Sequence, residues 1–360
     1  MANQWKKLKQ PSSLPVSPSC LFLSLLSFAS LFLFLSLFST SQTNSLNNKL
    51  FYSKSCNFTH GRWIYDQSIN SPPRYDNTCK EIYKGWSCIG SNKSNALDIV
   101  KWRWKPYQCD LPQFDPLHFL QRFRNTNIGF VGDSLNRNMF VSLFCTLKRV
   151  SGDVKKWRPA GADRGFTFLK YNLTISYHRT NLLARYSRWW APSKFDPVKS
   201  PMLFFEKGNP VVPPVSPDSG LDMVLKHMIS YVDKRMRPST TVFMRTQSPR
   251  HFEGGDWDQG GSCQRSLPLS PQEVEKLFSL QNNGTNVEVR LVNQHLYRAF
   301  EGTRFHMLDI SHMSEFRADA HPATAGGKKH DDCMHWCLPG LTDIWNDLFV
   351  AYLSNIEDRT

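Results

Sequence analysis

An α/β fold with a mainly parallel sheet covered by helices on both faces is what this sequence predicts, and three observations carry it. From Leu111 onward, strand-like apolar runs alternate with helix-length amphipathic runs, as in parallel strands joined by crossover helices. The preceding stretch, Cys56 to Asp110, holds four cysteines and many aromatic residues but little helical periodicity, so it is expected to be a smaller, loop-rich lobe tied by disulfides. The remainder of the chain is long enough to bury a sizeable core.

Taken in order, Phe114 to Arg124 reads as a helix and Asn127-Ile128-Gly129-Phe130-Val131 as a buried strand, followed by apolar residues at helical spacing from Leu135 to Leu147. Asp218 to Arg237 repeats an apolar stripe through Leu221, Val224, Leu225, Met228, Ile229 and Val232, and Pro238 stops it. Thr240 to Met244, β-branched and apolar, predicts a strand. Ser270 then stands at an N-cap, with Pro271 at the first helical position and Glu273 in the capping-box place. The proline-rich interval from Ser200 to Ser219 is expected to be an irregular excursion over the surface or cleft.

The N-terminus reads as a membrane anchor. Residues 20–38 are nineteen consecutive uncharged residues rich in Leu and Phe, long enough to cross a hydrocarbon layer. Lys6, Lys7 and Lys9 precede the run and no basic residue follows until Lys49, which keeps residues 1–19 cytosolic and makes a type II single-pass protein. A cleaved signal peptide is the other reading, since Ser39-Thr40-Ser41 offers small residues after the run. Residues 39–55, rich in Ser, Thr and Asn, form a stem, and 56–110 and 111–360 follow as Cys-rich lobe and main domain.

Beyond the apolar run, eight cysteines remain: Cys56, Cys79, Cys88, Cys109, Cys145, Cys263, Cys333 and Cys337. An even number in an oxidising compartment implies four disulfides, whose pairing the sequence leaves open. No C-x-x-C pair is present to favour zinc, and no metal is expected. Asn57, Asn92, Asn172 and Asn283 stand in glycosylation sequons. The net charge is +14, and residues 101–200 contribute +12 of it, from eighteen Lys and Arg against six Asp. On the luminal side of a membrane such a surface meets acidic polysaccharide rather than nucleic acid, or is simply solvated.

Two short pieces carry chemistry. Gly132-Asp133-Ser134 falls at a strand-to-helix junction, and Asp332 and His335 lie three residues apart, within reach of each other on one turn. A serine hydroxyl becomes a nucleophile when a histidine takes its proton, and a carboxylate fixes that histidine's tautomer. The Ser134 backbone N–H is the expected oxyanion donor. Asp331 is an alternative orienting acid and His321 an alternative base. Arg137 and Arg250 are candidates for binding substrate or for pairing with acids in the fold, and Trp336 and Trp345 for stacking on sugar faces or for packing.

Longer stretches extend these pieces: Lys101-Trp102-Arg103-Trp104-Lys105-Pro106 with Cys109, Phe130 through Asn138, and Ser248-Pro249-Arg250-His251-Phe252 with Gly254-Gly255-Asp256-Trp257. Arg317-x-Asp319-x-His321-Pro322 and Asp332 through Gly340, with Asp343, Trp345 and Asn346, complete them. In these the chain resembles the plant trichome birefringence-like proteins, polysaccharide O-acetyltransferases related to GDSL/SGNH esterases. The resemblance implies an SGNH-hydrolase-like sheet, a catalytic Ser134, His335 and Asp332, a Golgi-luminal domain and a cell-wall polysaccharide substrate. No Gly-x-Asn-Asp is present to supply further oxyanion donors, and Thr246-Gln247-Ser248-Pro249-Arg250-His251, following a strand, stands in the place where related esterases carry them. It implies no bound cofactor, with acetyl supplied by acetyl-coenzyme A or another carrier. A polysaccharide acetylesterase and a non-enzymatic pectin-bridging protein are the alternative functions.

Overall fold

The computed structural model describes residues 56–67, 73–158, 163–180, 204–282 and 284–357. The cytosolic tail, membrane anchor, stem and Asn283 assigned from sequence lie outside them. Among the described residues no helix is long and apolar enough to cross a membrane.

The first layer is a four-stranded sheet. Strand β1 (Gly61–Tyr65) pairs antiparallel with β2 (Trp102–Pro106) outside it, with the short helix α1 (Ala96–Ile99) between them in sequence. Helix α2 (Pro116–Arg122) leads into β3 (Asn127–Gly132) and the long helix α3 (Ser134–Val150), followed by β4 (Val154–Trp157), β5 (Arg164–Phe168) and β6 (Leu173–Arg179). The sheet order is β3-β6-β5-β4, with β3 and β6 parallel and the other two pairings antiparallel. It is therefore mixed, not the mainly parallel sheet read from the sequence. The reason is connection length: β5 and β6 are joined by four residues, whereas a parallel crossover needs roughly a dozen.

After a small hairpin, β7 (Phe205–Glu206) with β8 (Asn209–Pro210), the chain forms helix α4 (Pro217–Arg235) and strand β9 (Phe243–Arg245). The hairpin and the start of α4 give local order to the interval expected to be irregular. Then come α5 (Pro271–Phe278), α6 (Glu288–Phe300), β10 (His306–Leu308), α7 (Ser311–Glu315) and α8 (Leu341–Glu357), with β10 parallel to β9. The capping box at Ser270 and Glu273 is made in both directions, and Asp115 caps α2 ahead of Pro116.

Helix α3 fills the core. Phe140 and Phe144 stack on Phe166 of β5, and Phe140 also faces Tyr177 of β6. Helix α8 crosses α3 through Asn346, whose amide donates to the Met139 carbonyl and the Ser142 hydroxyl, while its Phe349 reaches Phe130 of β3 and Phe243 of β9. The N-terminal segment docks on the same helix: Arg74 forks onto Asp347 at 2.5 and 2.6 Å, and the Tyr75 hydroxyl donates to buried Asp343.

Disulfides fasten this docking. Cys79 joins Cys145 on α3, Cys88 joins Cys337, and Cys263 joins Cys333; Cys56 and Cys109 are disulfide-bonded as well. The Cys88–Cys337 link spans 249 residues, so it removes much of the freedom the unfolded chain would otherwise have. Replacing both with serine is expected to lower unfolding free energy by about 2–5 kcal/mol. Urea unfolding under non-reducing conditions measures this, and a midpoint equal to wild type would show that packing alone holds the segment.

Candidate active site

Ser134 is the first residue of α3, and the turn that presents it depends on its neighbours. Gly132 has φ +152°, and a Cβ there would lie 2.5 Å from the Asn136 amide nitrogen, so glycine is required. The Asp133 carboxylate caps the helix, accepting from the Leu135 and Asn136 N–H groups at 3.0 and 3.3 Å. At the first helical position the Ser134 N–H has no acceptor within the helix and is available to a developing oxyanion.

Two neighbours brace the turn from outside it. The Tyr177 hydroxyl donates toward the Gly132 and Asp133 carbonyls, and burial, together with the Asp133 charge, pushes it up to about 12 despite nearby arginines. Arg245, at the end of β9, donates to the Asn136 side chain at 2.8 Å and lies 3.8 Å from Asp133, with its guanidinium over the Trp345 ring.

The loop after His330 supplies the other groups. His335 Nε2 lies 2.8 Å from Ser134 Oγ, and His335 Nδ1 lies 2.9 Å from both Asp332 carboxylate oxygens. Asp332 also accepts from the His335 backbone N–H at 3.0 Å and pairs with Lys328, whose ammonium donates to the Gly85 carbonyl too. Burial pushes the Asp332 carboxyl up, but His335 and then Lys328 outweigh it and hold the group well below the usual carboxylate range. The structure thus brings together a hydroxyl, an imidazole and a carboxylate in one hydrogen-bonded chain.

Asp331 turns elsewhere, accepting from the Cys263 N–H and the Gln264 amide. Its carboxylate lies near the Cys263 and Cys333 sulfurs, but those are joined to each other and offer no thiolate to a metal. His321 is buried, with Nδ1 2.7 Å from the His335 carbonyl, and so it contacts the His335 backbone and not Ser134.

Trp336 and Trp345 are corrected from possible sugar platforms to core residues. Both have 0% exposure, and their indole N–H groups donate to the Ser248 and Ser314 hydroxyls. Arg250 pairs with Asp256 and Glu288 at the surface. Arg137 places its guanidinium 5.3 Å from the Trp86 ring centre, with Nε buried and unpartnered among the described residues. Thr246 to His251 follows β9, where the Gln247 N–H is already given to Asn293. Asn57, Asn92 and Asn172 are exposed.

Sequence reasoning missed Trp86, whose buried ring packs against His335 at 5.1 Å and 31°. Nothing near residue 86 announced a partner 249 positions further on. Lys328 stands only four residues before Asp332, but in a stretch without helix, so their pairing too is set by the fold.

A serine at a strand-to-helix junction of an α/β fold, hydrogen-bonded to a histidine and through it to an aspartate on a late loop, is the arrangement that the resemblance to GDSL/SGNH esterases implies. Residues 111–189 and 186–352 match the GDSL/SGNH-like acyl-esterase family found in Pmr5 and Cas1p, and residues 54–110 match the PMR5 N-terminal domain. The chain is 57% identical to Arabidopsis thaliana trichome birefringence-like 13, over 93% of this chain and 96% of that protein. Trichome birefringence-like 12 from the same plant is 37% identical over 84% and 86%, and Populus trichocarpa xyloglucan O-acetyltransferase 3 is 30% identical over 83% and 85%. The chain belongs to the trichome birefringence-like family.

The depressed Asp332 carboxyl makes a pH prediction. Its folded-state value lies below its unfolded value near 4, so its contribution to stability is complete above about pH 4 and is lost as the pH falls below it. The stability gap between wild type and Asp332→Asn, read by denaturant titration, should therefore shrink from about pH 5 to about pH 2. A gap constant across that window would show that the carboxylate's charge adds nothing.

Proposed function

We propose that this protein is a Golgi-luminal O-acetyltransferase that moves acetyl groups onto plant cell-wall polysaccharide through an acyl-enzyme on Ser134. The observation that carries it is the 2.8 Å approach of His335 Nε2 to Ser134 Oγ, with Asp332 on the far nitrogen. Relatives named as xyloglucan O-acetyltransferases support the reaction class. The disulfides support a lumen, and the apolar run at 20–38 a type II anchor. Xylan, another hemicellulose or pectin is the acceptor, and acetyl-coenzyme A or another acetyl carrier the donor.

His335 Nε2 takes the hydroxyl proton as Ser134 Oγ bonds to the acetyl carbonyl carbon, and Asp332 stabilises the resulting imidazolium through Nδ1–H. The Ser134 N–H meets the charge developing on the carbonyl oxygen. The imidazolium returns the proton to the donor's leaving group as that bond breaks. A sugar hydroxyl then loses its proton to His335 and attacks the acetyl carbon, and Ser134 leaves with the proton restored. Water at that second step would give the acetylesterase outcome from the same groups.

Mass spectrometry of the purified protein with an acetyl donor and deacetylated wall oligosaccharides tests this. One acetyl gained on one oligosaccharide class is the expected result, reduced about a thousandfold or more in Ser134→Ala and His335→Ala. Loss of acetyl from pre-acetylated oligosaccharides, with no gain, would reassign the protein as an esterase. Undiminished transfer by Ser134→Ala would remove the serine from the chemistry.

A further inference from the structure

Two buried imidazoles continue the hydrogen-bonded chain beyond His335. His321 Nδ1 is 2.7 Å from the His335 carbonyl oxygen, His321 Nε2 is 2.7 Å from His251 Nδ1, and His251 Nε2 is 2.8 Å from the Glu315 carbonyl oxygen. A carbonyl oxygen can only accept, so the two outer nitrogens each carry hydrogen. The inner nitrogens need a third hydrogen between them. Two neutral imidazoles bring only two.

We infer that His251 and His321 hold one proton in common, as an imidazole–imidazolium pair, and that this pair positions His335 through its backbone carbonyl. The positioning role rests on reading His335 as the base; the proton count does not. A neutral pair would set two nitrogen lone pairs against each other at 2.7 Å, with no room for a water between them.

The surroundings bear on the charge from both sides. Burial opposes it on either ring, and the His251 and His335 rings oppose it on His321, so that each imidazole taken singly is held below its ordinary value, His251 at about 4. Favouring it, Glu315, Asp319 and Glu253 face His251 and Asp332 faces His321. These acids are also answered by Arg290 and His312, Arg317, Arg265 and Lys328 respectively. The Trp336 indole stacks on the His321 ring at 4.0 Å and 23°, where its π face attracts a cation. Separately from the rings, the His251 backbone N–H donates to the Cys333 carbonyl at 3.1 Å, so the loop is held on both sides of Met334.

Histidine-selective ¹⁵N labelling of the full-length protein gives a direct count. At neutral pH three imidazole N–H groups are expected from His251 and His321, one of them far downfield and slow to exchange. Asp332→Asn identifies and removes the separate His335 Nδ1–H signal, and His251→Phe should leave His321 with only its Nδ1–H. Two N–H groups on the wild-type pair would overturn the shared proton.

For positioning, His321→Ala is expected to lower kcat about 100-fold through displacement of the base while KM changes less than about threefold. His321→Asn, which keeps a side-chain N–H for the carbonyl, should recover about tenfold of that loss. Unchanged kcat in His321→Ala would overturn the role; should that variant not fold, a His321→Asn kcat about tenfold below wild type supports it, and a His321→Asn kcat equal to wild type overturns it. Full activity in Ser134→Ala would remove the base role of His335 and leave the proton count standing.

Discussion

His335 lies on a loop, not on a helix or strand, and its reach to Ser134, 201 positions away in sequence, is imposed by what clamps that loop. Cys333 is tied to Cys263 and Cys337 to Cys88, so the imidazole sits between two covalent anchors. Between them, the Asn138 side chain accepts the Trp336 N–H and donates to its carbonyl, binding the loop to the helix that carries Ser134. The Cys337 N–H bonds to Ala320 and the Leu338 N–H to Trp86. A short irregular segment thereby gains the positional precision usually supplied by regular structure, and a hydrogen bond that tolerates only tenths of an ångström depends on it.

The N-terminal segment takes part in the site. Trp86 gives the His335 ring a wall, the Gly85 carbonyl holds Lys328 against Asp332, and Arg137 lies over the same Trp86 ring. Space around Gly85 is already taken by Lys328, so a side chain there would displace the ammonium that helps keep Asp332 ionised. Residues 54–110 and 111–352 match different family domains, yet Asn57–Thr360 form one compact unit.

Local chemistry was the legible part of the sequence. The β3-to-α3 junction, the Ser270 cap and the Asp332–His335 spacing are decided within a few residues, and the structure has each of them. The antiparallel meander was also written locally, in the alternation Leu173-Thr174-Ile175-Ser176-Tyr177 with Leu, Ile and Tyr buried, but it was not read as a strand. The fates of Trp336 and Trp345 were not local. An indole serves equally as a sugar platform or as core, and only the serines that receive their N–H groups, far off in sequence, decide the matter. The disulfide pairing was hidden for the same reason, since it links positions that only the finished fold brings together.

The 249-residue span of the Cys88–Cys337 link also sets an order of events during synthesis. At about 5–20 residues per second, Cys88 precedes its partner by roughly 12–50 seconds. For most of that interval the nascent chain carries Trp86 and, once it has passed residue 150, Ser134 on a helix that can already form, but not His335. The hydrogen bond between Ser134 and His335 thus waits for the last part of the chain, and the covalent anchor beside it closes only once residue 337 has been made and oxidised.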